Sequence, residues 1–221
     1  MFIGTTALFS YWASRRGRSR ALDSVDLPTC QVVFVVGGPG AGKGTQCGLL
    51  EERLKGGWKH LSAGDLLRAE RTAGGELGDL INNKIKNGEL VPSHVTVKLL
   101  ENGMKAAYAA NKTTNFLIDG FPRSFENQDA WNEAMRRHEI IFMLDFACPE
   151  EVLVGRLLER GHTSGRSDDN IDVIRKRFAT HQRECIPIIE RCAAEGITIH
   201  KIACDQTIEQ IYTKVSALFR Q

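Results

Sequence analysis

The chain has 221 residues, 42% of them hydrophobic and 25% charged, and its 29 Lys and Arg nearly balance 27 Asp and Glu for a net charge of +2. That length supports one sizeable core with small inserted subdomains, and the charge balance argues against general nucleic-acid binding, so any cationic cluster is local and aimed at a small anion. Cys30, Cys47, Cys148, Cys185, Cys192 and Cys204 are scattered with no C-x-x-C pair, which suits reduced thiols in an intracellular compartment and makes a zinc site a poor reading.

Residues 1 to about 28 differ from the rest. Met1 to Ser14 is mostly apolar and uncharged, and Arg15, Arg16, Arg18 and Arg20 follow before the first acid, Asp23. The stretch reads in three ways: as an organellar presequence, as a disordered extension or misassigned start, or as a membrane anchor or secretory signal. It is short for a membrane span, and no stable membrane association is expected.

The apolar run Val32 to Val36 then leads without a gap into Gly37-Gly38-Pro39-Gly40-Ala41-Gly42-Lys43-Gly44-Thr45. Strand, glycine loop and helix in that order form a phosphate cradle: backbone N–H groups turn inward, the helix points its positive end at the anion, and Lys43 reaches the β- and γ-phosphates. The hydroxyl that would help hold magnesium stands one place later than usual, on Thr45. The helix runs to about Lys55 and stops at Gly56-Gly57, and a short strand at 59–61 delivers Ser62-Ala63-Gly64-Asp65-Leu66-Leu67-Arg68. Helices are predicted over 65–72 and 76–87, and a third from Ser93 to about Ala110, together an inserted cap.

Asn115 to Asp119 reads as a buried strand ending in a carboxylate, followed by Gly120-Phe121-Pro122-Arg123. A helix from Ser124 to about His138, a strand from Ile140 to Phe146 and a helix from Pro149 to Arg160 continue the alternation, with Gly161 as the breaker. The polar loop 161–170 places Asp169 or Asn170 to cap a long helix to about Ala194, and a strand at 197–202 and a helix at 207–219 finish the chain. The expected fold is α/β of the P-loop NTPase type: a five-stranded parallel sheet with helices on both faces, a helical insertion and a short lid. Ligands of such sheets bind beyond the carboxyl ends of the strands, where loops 37–45, 62–68, 119–123 and 161–169 meet.

Those loops gather Lys43, Arg68, Arg123, Arg160, Arg166 and Arg177 with Asp119, Asp168 and Asp169. Arginine grips phosphate bidentately and keeps its charge, and a transferring phosphoryl group spreads charge over its equatorial oxygens, so a ring of arginines suits phosphoryl transfer. Arg160 and Arg177 also read as ordinary helix-end cations. His162 reads as a solvent-facing loop residue and Cys47 as a packed helix residue, since an acceptor phosphate oxygen is already ionised and needs no further base or nucleophile.

Residues 31 to 219 resemble the nucleoside monophosphate kinases, and within them the UMP-CMP kinase branch more than the adenylate kinases. Four stretches carry the resemblance: 37–45, Leu-Ser-Ala-Gly-Asp-Leu-Leu-Arg at 61–68, Phe-Leu-Ile-Asp-Gly-Phe-Pro-Arg at 116–123, and Leu-Glu-Arg-Gly-His-Thr-Ser-Gly-Arg-Ser-Asp-Asp-Asn at 158–170. The resemblance implies a kinase domain over 29–221 with an NMP-binding insertion at 62–92 and a lid at 160–170, working as a monomer on small nucleotides with ATP and magnesium. The carried-over ATP phosphate site is Gly40, Ala41, Gly42, Lys43, Gly44 and Thr45, with Arg160 closing over it and Arg156 and Gln206 at the adenine. Thr45 and Asp119 hold magnesium, largely through water. Arg68 and Arg123 hold the acceptor phosphate, and Ser62, Ala63, Glu89, Leu90, Val91, Gly120, Phe121 and Pro122 line the acceptor site. Arg160, Arg166 and Arg177 close over the transferring group, fixed by Asp168 and Asp169.

Asn127, on the first turn after Arg123, stands where adenylate kinases usually carry glutamine, and its amide can read O4 of uracil or N4 of cytosine. Ala63 and Trp131 point the same way, whereas Ser124 and Phe125 depart from the related pyrimidine enzymes. The alternatives are an adenylate kinase and a nucleotide-sensing module without turnover. The expected setting is intracellular, in cytoplasm and nucleus, or mitochondrial if the Arg-rich start is a presequence.

Overall fold

The computed structural model describes residues 22–54, 57–163 and 168–219; residues 1–21 and Arg166 lie outside them. Strands β1 (Gln31–Gly37), β2 (Trp58–Ser62), β3 (Asn115–Asp119), β4 (Glu139–Ala147) and β5 (Ile199–Ala203) form a five-stranded sheet in the order β2-β3-β1-β4-β5, with every pairing parallel. The connecting helices are α1 (Lys43–Arg53), α2 (Ala63–Ala73), α3 (Gly75–Lys86), α4 (Ser93–Asn111), α5 (Phe125–Ala134), α6 (Glu150–Thr163), α7 (Ile171–Thr180), α8 (Ile186–Ala194) and α9 (Ile208–Ala217).

The central strand explains the two layers. Val32, Phe34 and Val36 point into one core with Leu100, Met104, Trp131, Ile188 and Cys192, while Val33 and Val35 point into the other with Cys47, Leu50, Leu157, Ile174 and Phe178. Burial on both faces is why β1 reads as an unbroken apolar run instead of an alternating one. Leu22 and Leu27 are also buried, so the folded body reaches back into the last residues assigned to the extension. Among the described residues no helix is long and apolar enough to cross a membrane.

Side chains start the helices: Ser62, Ser124 and Asn170 accept from the backbone N–H groups of Asp65, Asn127 and Val173, and Thr207 with Gln210 forms a capping box. Most boundaries shift by a residue or two, and four differences from the sequence reading have a clear physical cause. Helix α5 ends at Ala134, not His138, because the chain turns back so that His138 Nδ1 accepts from the Cys30 N–H at 3.1 Å. Gly161 does not break α6, which continues to Thr163. The expected long helix to Ala194 is divided by a π-helical turn at His181–Cys185; Pro187, just inside α8, has no N–H to offer the preceding turn. Strand β5 starts at Ile199, because Gly196 and Ile197 are still closing the end of α8 through Ala193 O and Cys192 O.

Candidate active site

A cleft of about 2160 Å³ opens at the carboxyl ends of β1, β2 and β3, more than twice the ~1000 Å³ that marks the upper end for one drug-sized ligand. The register sets its floor: Val35 of β1 lies opposite Asp119 of β3, and Ser62 of β2 lies opposite Asp119 from the other side. Gly40 at φ 87° and Gly42 at φ 83° carry the loop after β1 through left-handed backbone that other residues resist. Half-buried Lys43 folds over this loop and donates to Gly37 O and Gly38 O, both at 2.9 Å. Burial, with Arg123 and Arg177 adding to it against the opposing pull of Asp119, brings the Lys43 pKa down from 10.5 to about 8. An incoming phosphate therefore meets a cation with few competing counter-charges.

Asp119 is 7% exposed. Burial pushes its pKa up, but the His60 hydrogen bond and the charge of Lys43 outweigh that, leaving it below the usual carboxylate value. An ionised carboxylate can only accept, so His60 Nε2 donates to Asp119 Oδ2, at 3.2 Å. A Cβ built on Gly44 would stand 3.4 Å from that same oxygen, which puts the carboxylate against the first turn of α1 beside Thr45. A hard, ionised oxygen next to a hydroxyl fits magnesium, which keeps most of its waters.

On the α2 side of the cleft, Arg68 donates to Asp65 Oδ1 through Nε at 3.2 Å and a terminal nitrogen at 2.6 Å. Arg123 is held more closely. Its Nε donates to Gly120 O at 2.6 Å, its backbone N–H donates to Asn127 Oδ1 at 3.0 Å, and its carbonyl accepts from Cys185 Sγ at 3.3 Å. Across the cleft, Arg160 of α6 donates twice to Asp169, at 2.7 Å each, and Arg177 of α7 donates to Asp168 at 2.8 Å and Asp169 at 3.1 Å. The Asp169 side chain is fully buried. Burial lowers the Arg177 pKa to about 10, with Arg123 and Arg160 pulling the same way against Asp168 and Asp169, so it stays charged at neutral pH.

This architecture agrees with similarity along the chain. The family model described as adenylate kinase matches residues 35–197. A UMP-CMP kinase of Gallus gallus is 46% identical over 191 residues, 85% of this chain and 96% of the relative. A uridylate kinase of Saccharomyces cerevisiae is 46% identical over 190 residues, 86% and 90% of the two chains, and UMP-CMP kinase 3 of Arabidopsis thaliana is 47% identical over 188 residues, 85% and 88%. The chain belongs to the adenylate kinase family.

Of the site residues expected from sequence, this member of the family brings most to one cleft: Gly40 to Thr45, Ser62, Ala63, Arg68, Glu89 to Val91, Asp119, Gly120, Pro122, Arg123, Asn127, Arg156, Arg160, Asp168, Arg177 and Gln206 all line it. Phe121 does not. Its ring is fully buried against Phe34 and Trp131, so it anchors the Arg123 loop from behind. Trp131, 1% exposed, likewise has no face on the cleft and packs in the core. Asp169 lies beneath the wall as the anchor of two arginines, and the helix cap falls to Asn170. Arg166 lies outside the described residues. His162 is exposed, as read from sequence, but on the last turn of α6 and not in a loop, and Cys47 is fully buried on α1, as read.

Three polar residues escaped the sequence reading. His60 shares the strand face of Ser62, an alternation that could have placed it beside Asp119. His181 follows Arg177 by one helical turn and lines the cleft near Gly38. Its pKa falls from 6.5 to about 4 through burial, then the charges of Lys43 and Arg123. Ser93 reaches Asn127 across the cleft wall, and nothing local in the sequence announces that contact.

Proposed function

We propose that this chain transfers the γ-phosphoryl group of ATP to a pyrimidine nucleoside monophosphate, UMP or CMP and also dCMP, giving ADP and the diphosphate. The observation that carries the reading is a single cleft, large enough for two nucleotides, lined by Lys43, Arg68, Arg123, Arg160 and Arg177 together with Asp119. In this reading the 40–45 backbone and Lys43 grip the donor phosphates, and Arg156 and the backbone near Gln206 flank the adenine. Arg68 and Arg123 hold the acceptor phosphate, while Ser62, Ala63, Leu90, Val91 and Asn127 face its nucleoside. Arg160, Arg166 and Arg177 neutralise charge on the transferring group. Magnesium, when bound with ATP, adds positive charge at the phosphates, and Thr45 and Asp119 are the residues that would hold it.

The chain supplies position and charge, with no covalent intermediate, because the attacking phosphate oxygen is already ionised. Water is the competing acceptor, and closure of the 62–92 cap and the lid would exclude it. The working unit is a monomer inside the cell, in cytoplasm and nucleus or, with the Arg-rich start as a presequence, in mitochondria. The relatives' printed names favour pyrimidine acceptors over AMP. A coupled ADP-release assay with ATP and magnesium, comparing UMP, CMP, dCMP and AMP on one preparation, tests this. Fastest turnover with UMP and CMP is expected; fastest turnover with AMP would make the chain an adenylate kinase, and no turnover with any acceptor would make it a nucleotide sensor.

A further inference from the structure

Asn127 is 4% exposed and lines the cleft, and its amide is held from two sides. Oδ1 accepts from the Arg123 backbone N–H at 3.0 Å, and Nδ2 donates to the Ser93 hydroxyl at 2.8 Å. A backbone N–H can only donate, so turning the amide over would set donor against donor. An amide carries two N–H groups and two lone pairs; one of each remains for a ligand. The Asn127 backbone is fixed too, since its N–H donates to Ser124 Oγ at 3.2 Å. Ser93 opens α4 directly after Leu90, Val91 and Pro92, and Leu90 and Val91 line the same cleft. Its hydroxyl thus ties the cap segment to the helix that carries Asn127.

We propose that Ser93 is a specificity-determining residue: the Arg123 N–H sets the order in which Asn127 presents its donor and acceptor, and the Ser93 hydroxyl, accepting from Nδ2, pins the other end of the amide in that order before the acceptor base. This rests on the assignment of Asn127 to that base. Uracil offers an N3–H beside a carbonyl oxygen, whereas cytosine and adenine offer a ring nitrogen acceptor beside an exocyclic amine, so donor and acceptor run in opposite order. An amide locked in one orientation ranks these edges; an amide free to rotate levels them. Ser93 touches no reacting atom and acts through Asn127, as a positioning residue.

The test measures kcat and KM for UMP, CMP and AMP at saturating ATP in the wild type, S93A, S93T, N127A and the S93A/N127A double variant. S93A should change the ratio of UMP to CMP kcat/KM by about three- to tenfold, the scale of one lost hydrogen bond. The change should fall mainly on the acceptor KM, with the KM for ATP within about twofold of wild type, as a local contact at the acceptor side requires. S93T keeps the oxygen and should keep the wild-type ratio. On the N127A background S93A should add nothing, because the group it acts through is gone. An unchanged ratio in S93A, with N127A shifting it, overturns the role of Ser93 alone; an unchanged ratio in N127A overturns the base assignment beneath it. Equal losses for all acceptors and for ATP in S93A would mark a structural defect at the start of α4 and would also overturn the proposal.

Discussion

The phosphate loop at one end of the cleft is built from one short run of chain, while the wall around Arg123 and Asn127 is assembled from segments far apart in sequence. Lys43 bonds to carbonyls five and six residues away, whereas Asn127 reaches Ser93 across 34 positions and Cys185 reaches Arg123 across 62. A triphosphate looks alike on every nucleotide, so backbone N–H groups and one lysine suffice to hold it. A base must be told from other bases, and that requires walls that different segments can adjust separately.

Removing the lysine of the phosphate loop is the most severe way to probe this difference. K43M should lower kcat by roughly 10³-fold or more, on the scale of losing a charge that meets the transition state. Its melting temperature should hold or rise. The folded-state pKa of Lys43 lies near 8, below the ordinary 10.5, so the fold sheds this proton before the unfolded chain does. The group therefore disfavours the fold at neutral pH, and that penalty eases as pH climbs from about 8 towards 10.5. In the free enzyme kcat/KM should decline above about pH 8 as the same proton leaves. A melting temperature that drops sharply in K43M would show that the loop depends on the lysine for its shape.

The lid side offers the next probe. Two arginines from separate helices share the fully buried Asp169, so removing its charge loosens both, while Arg177 keeps its bond to Asp168. D169N keeps the shape but should lower kcat by about 10²-fold through misplaced arginines. Breaking a buried ion pair costs about 3 kcal/mol, which for a chain of this size lowers the melting temperature by roughly 6–12 °C. Kinetics and melting together separate the two contributions: a full loss of stability with kcat intact would mean that Arg160 and Arg177 find their places from the substrate alone.

How much of this was legible follows the same division. The bounds of β3 and the phosphate loop could be read directly, because a continuous apolar run, a terminal carboxylate and a glycine turn are local signals. Gly161 shows the limit. A glycine in a helical pattern reads as a breaker, yet here it is required by close approach: a Cβ at that position would stand 2.7 Å from the Asp169 carbonyl, which crosses over α6. Only the fold reveals that crossing. Phe121 and Trp131 are similar cases, since motif position put them near the acceptor and packing turned both inward. Ser93 had no signal at all, being one more hydroxyl after a proline until α4 and α5 are laid side by side.

His181 gives the finest test of the contrast between charge and packing. It lines the cleft beside the phosphate loop on the π-helical turn, among Lys43 and Arg123 as near cations, with Arg177 one turn before it and Cys185 closing the same turn. With its pKa near 4, the ring is neutral in the free enzyme at every pH where the protein would work, so it adds volume without charge. H181F should then change kcat/KM by less than about threefold between pH 6 and 8, because one neutral aromatic ring replaces another and no charge is lost. The sign matters for any acid limb in the profile: protonation of this ring begins only well below pH 6, so a fall between pH 7 and 6 must have another source. A loss of tenfold or more in H181F, together with proton uptake on nucleotide binding that the variant lacks, would mean that the ring becomes an imidazolium on the bound phosphates and belongs with the arginines after all.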